Sequence, residues 1–332
     1  MDNTTETDLI LWSKFLMDTF ENEAQWVQIF SIVIYLIIFF VSLIGNGLTC
    51  FVIYYVKSMH TATNFYLFNL AVSDLIVTFN ILLDIYDYLT IFSNYNEITC
   101  KFRFFLVISL FNNGILVMTL LAIERYIVIC FPLMLSRSPV LKRTVKVIII
   151  AWIVAMLESL LDLWTVGLIK THKLTICFII PRPASRVLNG ILALLTFVVP
   201  LIIMTFVYAM IAFKVNDNEK SKSEKGGQVF NHRDNRGRVN KIIIALTSSF
   251  LVCWLPFFVL RIMIFTYDVQ ELVEFRWWWS IGLRVTFINT WMSVVLNPIL
   301  FSLLSTKFRK ELKILWSTKI KQGTIIRNTV HI

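Results

Sequence analysis

Long apolar blocks, rather than short alternating runs, dominate the pattern of hydrophobic and polar positions along the chain. Each block has at least the length, about 20 residues, that a helix needs to cross the hydrocarbon core of a membrane. A helix satisfies its own backbone polar groups, so it is the structure that such a block favours in lipid. The pattern therefore predicts an all-α membrane protein, a bundle of seven spanning helices. The predicted spans are residues 27–55, 64–90, 102–131, 145–168, 188–213, 239–265 and 277–304.

Composition agrees with a protein that has the bilayer as its solvent. Hydrophobic residues make up 57% of the 332 residues and charged residues only 16%, whereas soluble domains carry about 25% charged residues. The sequence has no internal repeat and no stretch that resembles a second, soluble domain.

The polar segments divide the chain into three regions around this bundle. Residues 1–26 are polar, and we expect a flexible extracellular N-terminus without a cleavable signal peptide. Residues 27–304 form the spanning domain, in which the charged segment 214–238 is interpreted as a solvated third cytoplasmic loop. Residues 305–332 are predicted to hold a short amphipathic helix on the membrane surface, to about Leu315, and a cytoplasmic tail.

The distribution of charge predicts the orientation. The net charge is +10, and most lysines and arginines fall in the loops after spans one, three and five and after span seven, while the first residues are acidic. Positive loops remain in the cytoplasm, so we expect a multi-pass plasma-membrane protein with its N-terminus outside. The basic runs are interpreted as contacts with membrane lipids rather than with nucleic acid.

Three residues on the predicted outer side are candidates for covalent modification. Cys100, at the start of span three, and Cys177, before span five, face an oxidising space, and we predict a disulfide between them. Asn3 begins an Asn-Thr-Thr glycosylation motif, and the alternative is that this short motif is unused.

Polar residues within the spans are costly, so each needs a partner or a role. Asp74 lies in the middle of span two and is either a hydrogen-bond hub or a cation-sensitive switch with Asn46 and Asn297 as partners. Glu124 precedes Arg125 at the end of span three. We expect this pair to close and open between two states of the bundle.

Three prolines, Pro200, Pro256 and Pro298, lie inside apolar blocks. Each removes a backbone hydrogen bond and kinks its helix, and neighbouring helices can absorb this in a membrane. The kinks offer hinges, and the alternative is a role in packing only.

These features occur in a fixed order between about residues 30 and 315. In that order the chain resembles the rhodopsin-like, or class A, G-protein-coupled receptors. The resemblance implies a receptor that catalyses no reaction and needs no cofactor. The matching marks are Gly45-Asn46, the segment 70–74, Glu124-Arg125-Tyr126, Trp152, Pro200 with Tyr208, Phe250-x-x-Cys253-Trp254-x-Pro256, Asn297-Pro298 and Phe308-Arg309.

The resemblance also implies a mechanism and its residues. An agonist above the toggle Trp254 would shift the bundle towards a state that exposes Arg125 to a heterotrimeric G protein, with arrestin as a further partner. The residues with an implied part in activation or coupling are Asp74, Ile115, Glu124, Arg125, Tyr126, Pro200, Tyr208, Phe250, Trp254, Pro256, Asn297 and Pro298.

Several positions depart from the pattern of that family, and two of them bear on the expected mechanism. Phe301 stands where a tyrosine is usual, and a phenyl ring cannot donate a hydrogen bond towards Tyr208. Gly114 stands where a serine often helps to bind sodium. We therefore expect at most a weak sodium site at Asp74 and no other metal.

The ligand class follows from several of these positions. Val107 replaces the aspartate of amine receptors and Trp291 the lysine of opsins, which argues against both ligand classes. Residues 59–75 and Leu83-Asp84-Ile85-Tyr86-Asp87 are similar to the peptide receptors of the neuromedin U and pyrokinin/capa type. That similarity implies a neuropeptide with an amidated, arginine-containing C-terminus and a calcium-mobilising G protein.

Helix geometry supports a site at this point. Asp84 lies ten residues beyond Asp74, about 15 Å along the helix, and Asp87 shares its face. Such a carboxylate pair suits an arginine, although pairing of either acid with Arg261 or Arg284 is the alternative. Glu158 and Asp162 share a face of span four, without a predicted partner. The predicted ligand-binding residues are Asp84, Asp87, Phe257, Phe258, Arg261 and Phe287.

Other functions remain as alternatives. A lipid or another small molecule could replace the peptide as the ligand of such a receptor. A transporter or channel would require inverted repeats or a polar pore. An enzyme is disfavoured because the four histidines fall in predicted loops or the tail, without metal-like spacing.

Overall fold

The structure is a computed structural model that describes residues 3–21, 25–90, 96–131, 140–170, 175–180, 182–223 and 231–329. Within these ranges, seven helical segments are long and apolar enough to cross a membrane, which confirms the predicted bundle. They are the first to seventh spans below. Their helices are Gln25–Tyr55, Ala62–Thr90, Glu97–Cys130, Val140–Asp162, Pro183–Ala193 continuing as Val199–Ser223, Asn231–Thr266 and Arg276–Leu304.

The bundle is apolar on its outside and holds polar groups inside. Ile37 and Ile44 of the first span are about 60% exposed, whereas Ser42 and Asn46 of the same helix are buried. Ser42 shares a hydrogen bond of 2.5 Å with Thr78 of the second span. This arrangement is expected where lipid surrounds the protein.

The fourth span ends earlier than the sequence predicted. Its helix stops at Asp162, and the last apolar residues of the predicted span, 166–168, belong to strand β1 (Val166–Lys170), which pairs antiparallel with β2 (Thr175–Ile179). The Thr165 hydroxyl donates to the Asp162 carbonyl at 2.7 Å and marks the turn out of the helix. A short apolar run does not distinguish strand from helix by its periodicity, which explains the error.

A disulfide joins this hairpin to the bundle. Cys177 of β2 is bonded to Cys100, with 5.5 Å between their Cα atoms, as the sequence predicted. The third span begins at Glu97, earlier than predicted, because Asn96 caps it through the Thr99 backbone N–H at 2.8 Å. The disulfide therefore attaches the hairpin within the first turn of the third span. We call this part of the molecule the hairpin end and the opposite part, near Arg125, the arginine end.

Asparagines from neighbouring spans satisfy carbonyls that two of the prolines free. Pro256 cannot donate to the carbonyl of Val252, and the Asn289 amide donates to that oxygen at 3.0 Å. The Asn46 amide likewise donates to the carbonyl of Val294, four residues before Pro298, at 2.9 Å. The sixth and seventh spans are thus each bonded to a neighbouring helix at the turn before their proline.

The fifth span accommodates its proline within its own helix. A π-helical stretch, Leu194–Val198, lies directly before Pro200. Such a wider turn relieves the clash of a proline ring with the preceding turn. The helix then continues to Ser223, and the sixth span starts at Asn231. The predicted solvated loop 214–238 is therefore largely helical where it is described, since a formed helix extends easily through residues such as lysine and glutamate.

The N-terminus is helical, contrary to the expectation of a flexible segment. In the helix Asn3–Glu21, Trp12 and Leu16 are fully buried and Phe15 nearly so. The Trp12 indole donates to the Ile179 carbonyl of β2 at 3.0 Å, and its ring lies 5.9 Å from that of Trp279. The sequence analysis weighed the polar residues of this segment and missed its apolar stripe at helical spacing.

Two further helices lie at the ends of the seventh span. Val269–Glu274 joins the sixth and seventh spans and is capped by Asp268. The helix after the seventh span runs over Thr306–Thr329, further than the predicted end near Leu315. Its Phe308 is buried at 4.8 Å from the Phe301 ring. This contact fixes the start of the helix against the seventh span.

The packing of the N-terminal helix yields a first prediction. Trp12→Ala removes a buried indole and its hydrogen bond, a change that costs about 3–5 kcal/mol in protein cores. We expect faster hydrogen exchange in the N-terminal helix and in β2, measured by mass spectrometry. Ile10→Ala is the matched control, because Ile10 is 61% exposed on the same helix. Unchanged exchange in Trp12→Ala would contradict this packing.

Candidate functional site

A cavity lies at the hairpin end, between the second, third, sixth and seventh spans and beneath β2. Its volume is about 210 Å³, below the about 300–1,000 Å³ of common small-molecule sites. The cavity accommodates a side chain or the end of a chain rather than a folded partner. The predicted ligand-binding residues that line it are Asp84, Asp87, Phe257 and Phe287.

One arginine occupies the acidic wall of this cavity. The guanidinium of Arg103, in the third span, donates through Nη2 to Asp84 and through Nη1 to Asp87 at 2.6 Å. Its Nε donates to the Asn80 side-chain oxygen at 3.0 Å. The side chains of Arg103, Asp84 and Asp87 are 13–22% exposed, so the group is partly shielded from water. The arrangement already shows that the two acids bind a guanidinium.

The sequence analysis did not identify Arg103. It left open a pairing of the acids with Arg261 or Arg284, whereas the structure brings Arg103 to both of them. Arg103 lies one turn after Cys100, at the level of the hairpin end of the second span. Arg103 is followed by an apolar run without another lysine or arginine until Arg125, and a basic residue inside a span is a signal that predicts an acidic partner.

Aromatic rings form the floor of the cavity. The Trp254 ring lies 4.0 Å from that of Phe111 and 5.6 Å from that of Phe257. Trp254 is 1% exposed, and Phe111 also contacts Trp291 at 5.9 Å. A group that enters the cavity therefore meets the ring predicted to act as the toggle, together with Val107 on the wall.

Phe258 and Arg261, both predicted to bind ligand, lie behind the wall instead. Neither belongs to the lining among the described residues. Phe258 turns away from its neighbour Phe257 and stacks on Phe197 at 3.9 Å, because successive helix residues point in different directions. The Arg261 guanidinium lies 5.9 Å from the centre of the Phe257 ring.

Arg261 forms a buried ion pair across the bundle. Its Nη2 donates to Asp162 of the fourth span at 2.6 Å, and the two side chains are 3% and 1% exposed. Glu158 lies one turn before Asp162 and is less buried. The sequence analysis predicted no partner for Asp162, because the pairing joins residues 99 positions apart.

The ionic contacts at the arginine end differ from the predicted pair. Glu124 accepts a hydrogen bond from the Tyr66 hydroxyl at 2.9 Å and lies 3.1 Å from Nη2 of Arg143. Among the described ion pairs, Glu124 and Arg125 do not form one. Adjacent residues on a helix do not face each other, so the expected local pair is geometrically disfavoured. The carboxylate instead ties the third span to the second and fourth.

Asp74 lies between these two ends and has one of its two predicted partners. The Asn297 amide donates to its carboxylate at 2.9 Å. Asn46 was the other predicted partner of Asp74, but its amide donates instead to Ser42 and to the Val294 carbonyl. The proposed sodium site at Asp74 remains a prediction.

Three other predicted activation residues lie in the core between the cavity and the arginine end, and Tyr126 lies at the arginine end itself. Ile115 is buried in the same cluster as Trp254, and Pro200 is buried beside the π-helical turn. The Tyr208 hydroxyl shares a hydrogen bond of 2.7 Å with Thr247 of the sixth span. Tyr126 packs edge-on against Phe131, with 5.7 Å between ring centroids.

Some predictions fall outside what the structure describes. The side chains of Phe250 and Asn3 are not among the described ones, so the connector and the glycosylation site stay predictions. No group of three or more histidine, cysteine or acidic side chains suited to a metal ion occurs within the described ranges.

Comparison with known proteins gives a consistent family assignment. Residues 45–301 match the family described as 7 transmembrane receptor (rhodopsin family). Human neuromedin-U receptor 1 is 31% identical over 312 residues, which cover 83% of this chain and 70% of that receptor. The Caenorhabditis elegans neuromedin U receptor homolog nmur-2 is 28% identical over 92% and 84% of the two chains. The Drosophila melanogaster pyrokinin-1 receptor is 25% identical over 90% and 83%.

The buried pair of Arg261 and Asp162 generates a second prediction. Removing one partner of a buried ion pair costs about 3–5 kcal/mol, because the other charge stays buried without compensation. We expect Asp162→Ala to lower the thermal midpoint of the purified protein strongly. The double variant Asp162→Leu with Arg261→Met should recover most of the loss. Glu97→Gln, which breaks an exposed pair with Lys101, should change little, and a double variant as unstable as Asp162→Ala would contradict the explanation.

Proposed function

The chain belongs to the rhodopsin family of seven-transmembrane receptors, and we propose that it is a receptor for a neuropeptide whose amidated C-terminal end carries an arginine. Members of this family are multi-pass membrane receptors that act with G proteins and are not enzymes. The observation that carries the proposal is the acid pair Asp84 and Asp87, which faces the cavity and binds a guanidinium within the chain. The relatives named for neuromedin U and pyrokinin support a peptide as the ligand.

The proposed orientation has the hairpin end outside the cell and the arginine end in the cytoplasm. The excess of lysine and arginine in the loops at the arginine end supports it. The disulfide of Cys100 and Cys177 at the other end also supports it, because disulfides persist in oxidising compartments. In this orientation residues 1–26 are extracellular, 214–238 are cytoplasmic and 305–332 follow the bundle on the cytoplasmic side.

The proposed recognition places the peptide arginine against the acid pair. A guanidinium forms planar, bidentate contacts with carboxylates, and such charged hydrogen bonds are about twice as strong as neutral ones. The residues next to the arginine would lie on the aromatic surface made by Phe257, Phe287 and Trp254. Because the cavity is small, the rest of the peptide would extend over the hairpin.

The proposed response is a shift of the sixth span. Trp254 lies at the floor of the cavity and two residues before the kink at Pro256. If the Trp254 side chain adopts different rotamers in two arrangements of the sixth span, a ligand that binds one rotamer better favours the corresponding arrangement. Movement at the arginine end would then open a groove beside Arg125 for a helix of the G protein. A calcium-mobilising G protein, arrestin and lipids of the inner leaflet are the further proposed partners.

A calcium assay in transfected cells gives a third prediction. Peptides ending in Arg-X-amide should release stored calcium, and Asp84→Asn should lower their potency by about tenfold to a hundredfold, because one charged hydrogen bond contributes about 1.5–3 kcal/mol. Glu97→Gln is the matched control, because this acid of the same end is exposed and outside the cavity lining.

The outcomes of this assay separate the ligand classes. The arginine-peptide proposal would be contradicted if no such peptide released calcium through the unaltered receptor while an antibody detected the receptor at the cell surface. A response to a lipid or another small molecule under the same conditions would then identify the alternative ligand class.

A fourth prediction concerns the arginine end. Arg125→Ala should retain the affinity for a labelled peptide agonist and abolish nucleotide exchange on the purified G protein, since Arg125 is proposed to contact the G protein rather than the peptide. A variant that loses peptide binding and exchange together would point to a structural role for Arg125 instead.

A further inference from the structure

The acid pair is not an empty anchor, because an arginine of the chain already occupies it. Arg103 has the chemistry proposed for the ligand and bonds to the same carboxylates. We propose that Arg103 is an internal competitor for Asp84 and Asp87, and that a cationic ligand binds these acids only by displacing Arg103 from at least one of them. The inference rests on the proposed function for the ligand and on the geometry of the described residues for the competitor.

The geometry of the acceptors matches a guanidinium fork. Asn80, Asp84 and Asp87 follow each other at helical spacing along one face of the second span, and each accepts a hydrogen bond from a different nitrogen of Arg103. Five N–H donors in a plane are a property of arginine, whereas an ammonium is a compact point charge. The acceptors are thus arranged for a planar, multidentate cation.

The charged groups of the cavity lining favour a cation as the ligand. Among the described residues that line the cavity, the charged ones are Asp84, Asp87 and Arg103, two carboxylates for one guanidinium. A cation that binds these carboxylates has to share them with Arg103 or displace it from one of them.

Competition of this kind lowers the affinity of every cationic ligand for the acids. A ligand guanidinium that displaces Arg103 from Asp84 replaces the hydrogen bond donated by Nη2 and can add a second, parallel one, so few hydrogen bonds are lost in the exchange. A ligand ammonium is more strongly hydrated and cannot form the fork, so it is the weaker ligand with or without Arg103. In Arg103→Gln no guanidinium of the chain has to be displaced, and either ligand cation binds more tightly.

Arg103 can leave Asp84 without leaving the second span. Its Nε bond goes to Asn80, one turn below Asp84, and this contact can persist while the Nη atoms rotate away. The backbone of Arg103 is fixed one turn after the disulfide at Cys100. Arg103 therefore acts on the ligand through the acids, as a positioning residue that lowers the affinity for a cationic ligand.

The first arm of the test measures competition without a peptide. The thermal midpoint of the purified receptor is recorded with millimolar L-argininamide or L-lysinamide, for the unaltered protein, Arg103→Gln and Arg186→Gln. We expect both probes to raise the midpoint more in Arg103→Gln than in the unaltered protein. Arg186 is the matched control because it pairs with Asp268 at the same end but does not line the cavity. Equal shifts in Arg103→Gln and the unaltered protein would overturn the proposal.

The second arm measures the potency of a peptide that ends in Arg-X-amide. We expect Arg103→Gln to raise this potency several-fold, because no guanidinium of the chain has to be displaced. Arg103→Lys, which keeps the charge but not the fork, should give an intermediate potency. An unchanged potency in a well-expressed Arg103→Gln would overturn the role of Arg103.

The two arms also separate this inference from the proposed function. If no peptide activates the unaltered receptor, the proposed function fails, and the argininamide arm still decides whether Arg103 competes for the acids. If the peptides act and both arms show no effect of Arg103→Gln, the proposed function stands and this inference fails.

Discussion

A polar group inside a bilayer has to find its partner within the protein, and this constraint determines much of the structure. In the sixth and seventh spans, a proline leaves one backbone carbonyl without its helical hydrogen bond. An asparagine of another span donates to that carbonyl, as Asn289 does to the carbonyl of Val252. The same requirement joins Asp162 to Arg261 and Glu124 to Tyr66. Because water is excluded, these contacts cannot be exchanged for solvent at little cost. They hold the spans in one arrangement until a competing group enters.

The cavity at the hairpin end is where such a competing group can enter. Its acidic wall is satisfied by Arg103, and its floor is Trp254, two residues before Pro256 of the sixth span. The hairpin covers this cavity and is itself supported by the N-terminal helix through Trp12. The acid pair and Trp254 thus line one cavity, and in the proposed function binding energy at the acids acts on the sixth span over a short distance.

Local pattern predicted the parts of this molecule that depend on local physics. The seven spans follow from the length and apolarity of their blocks, and the disulfide from two cysteines on one side of the membrane. Side-chain partners across the bundle did not follow, because Arg103 with Asp84 and Arg261 with Asp162 depend on the rotation of each span. The prediction that Glu124 pairs with Arg125 was wrong, because residues adjacent in sequence do not face each other on a helix. The sequence analysis missed the hairpin and the N-terminal helix, because tertiary contacts, rather than local pattern, stabilise short apolar or amphipathic segments.

The central claim is that a guanidinium of the ligand binds the acid pair, and a neutral isostere of arginine tests it most directly. The affinity of the purified, unaltered receptor would be measured for an Arg-X-amide peptide and for the same peptide with citrulline in place of arginine. Citrulline keeps the shape but removes the charge, so the account predicts an affinity lower by about tenfold to a hundredfold, the size of one charged hydrogen bond. Equal affinities for the two peptides would contradict the claim, because the acids would then contribute nothing to recognition.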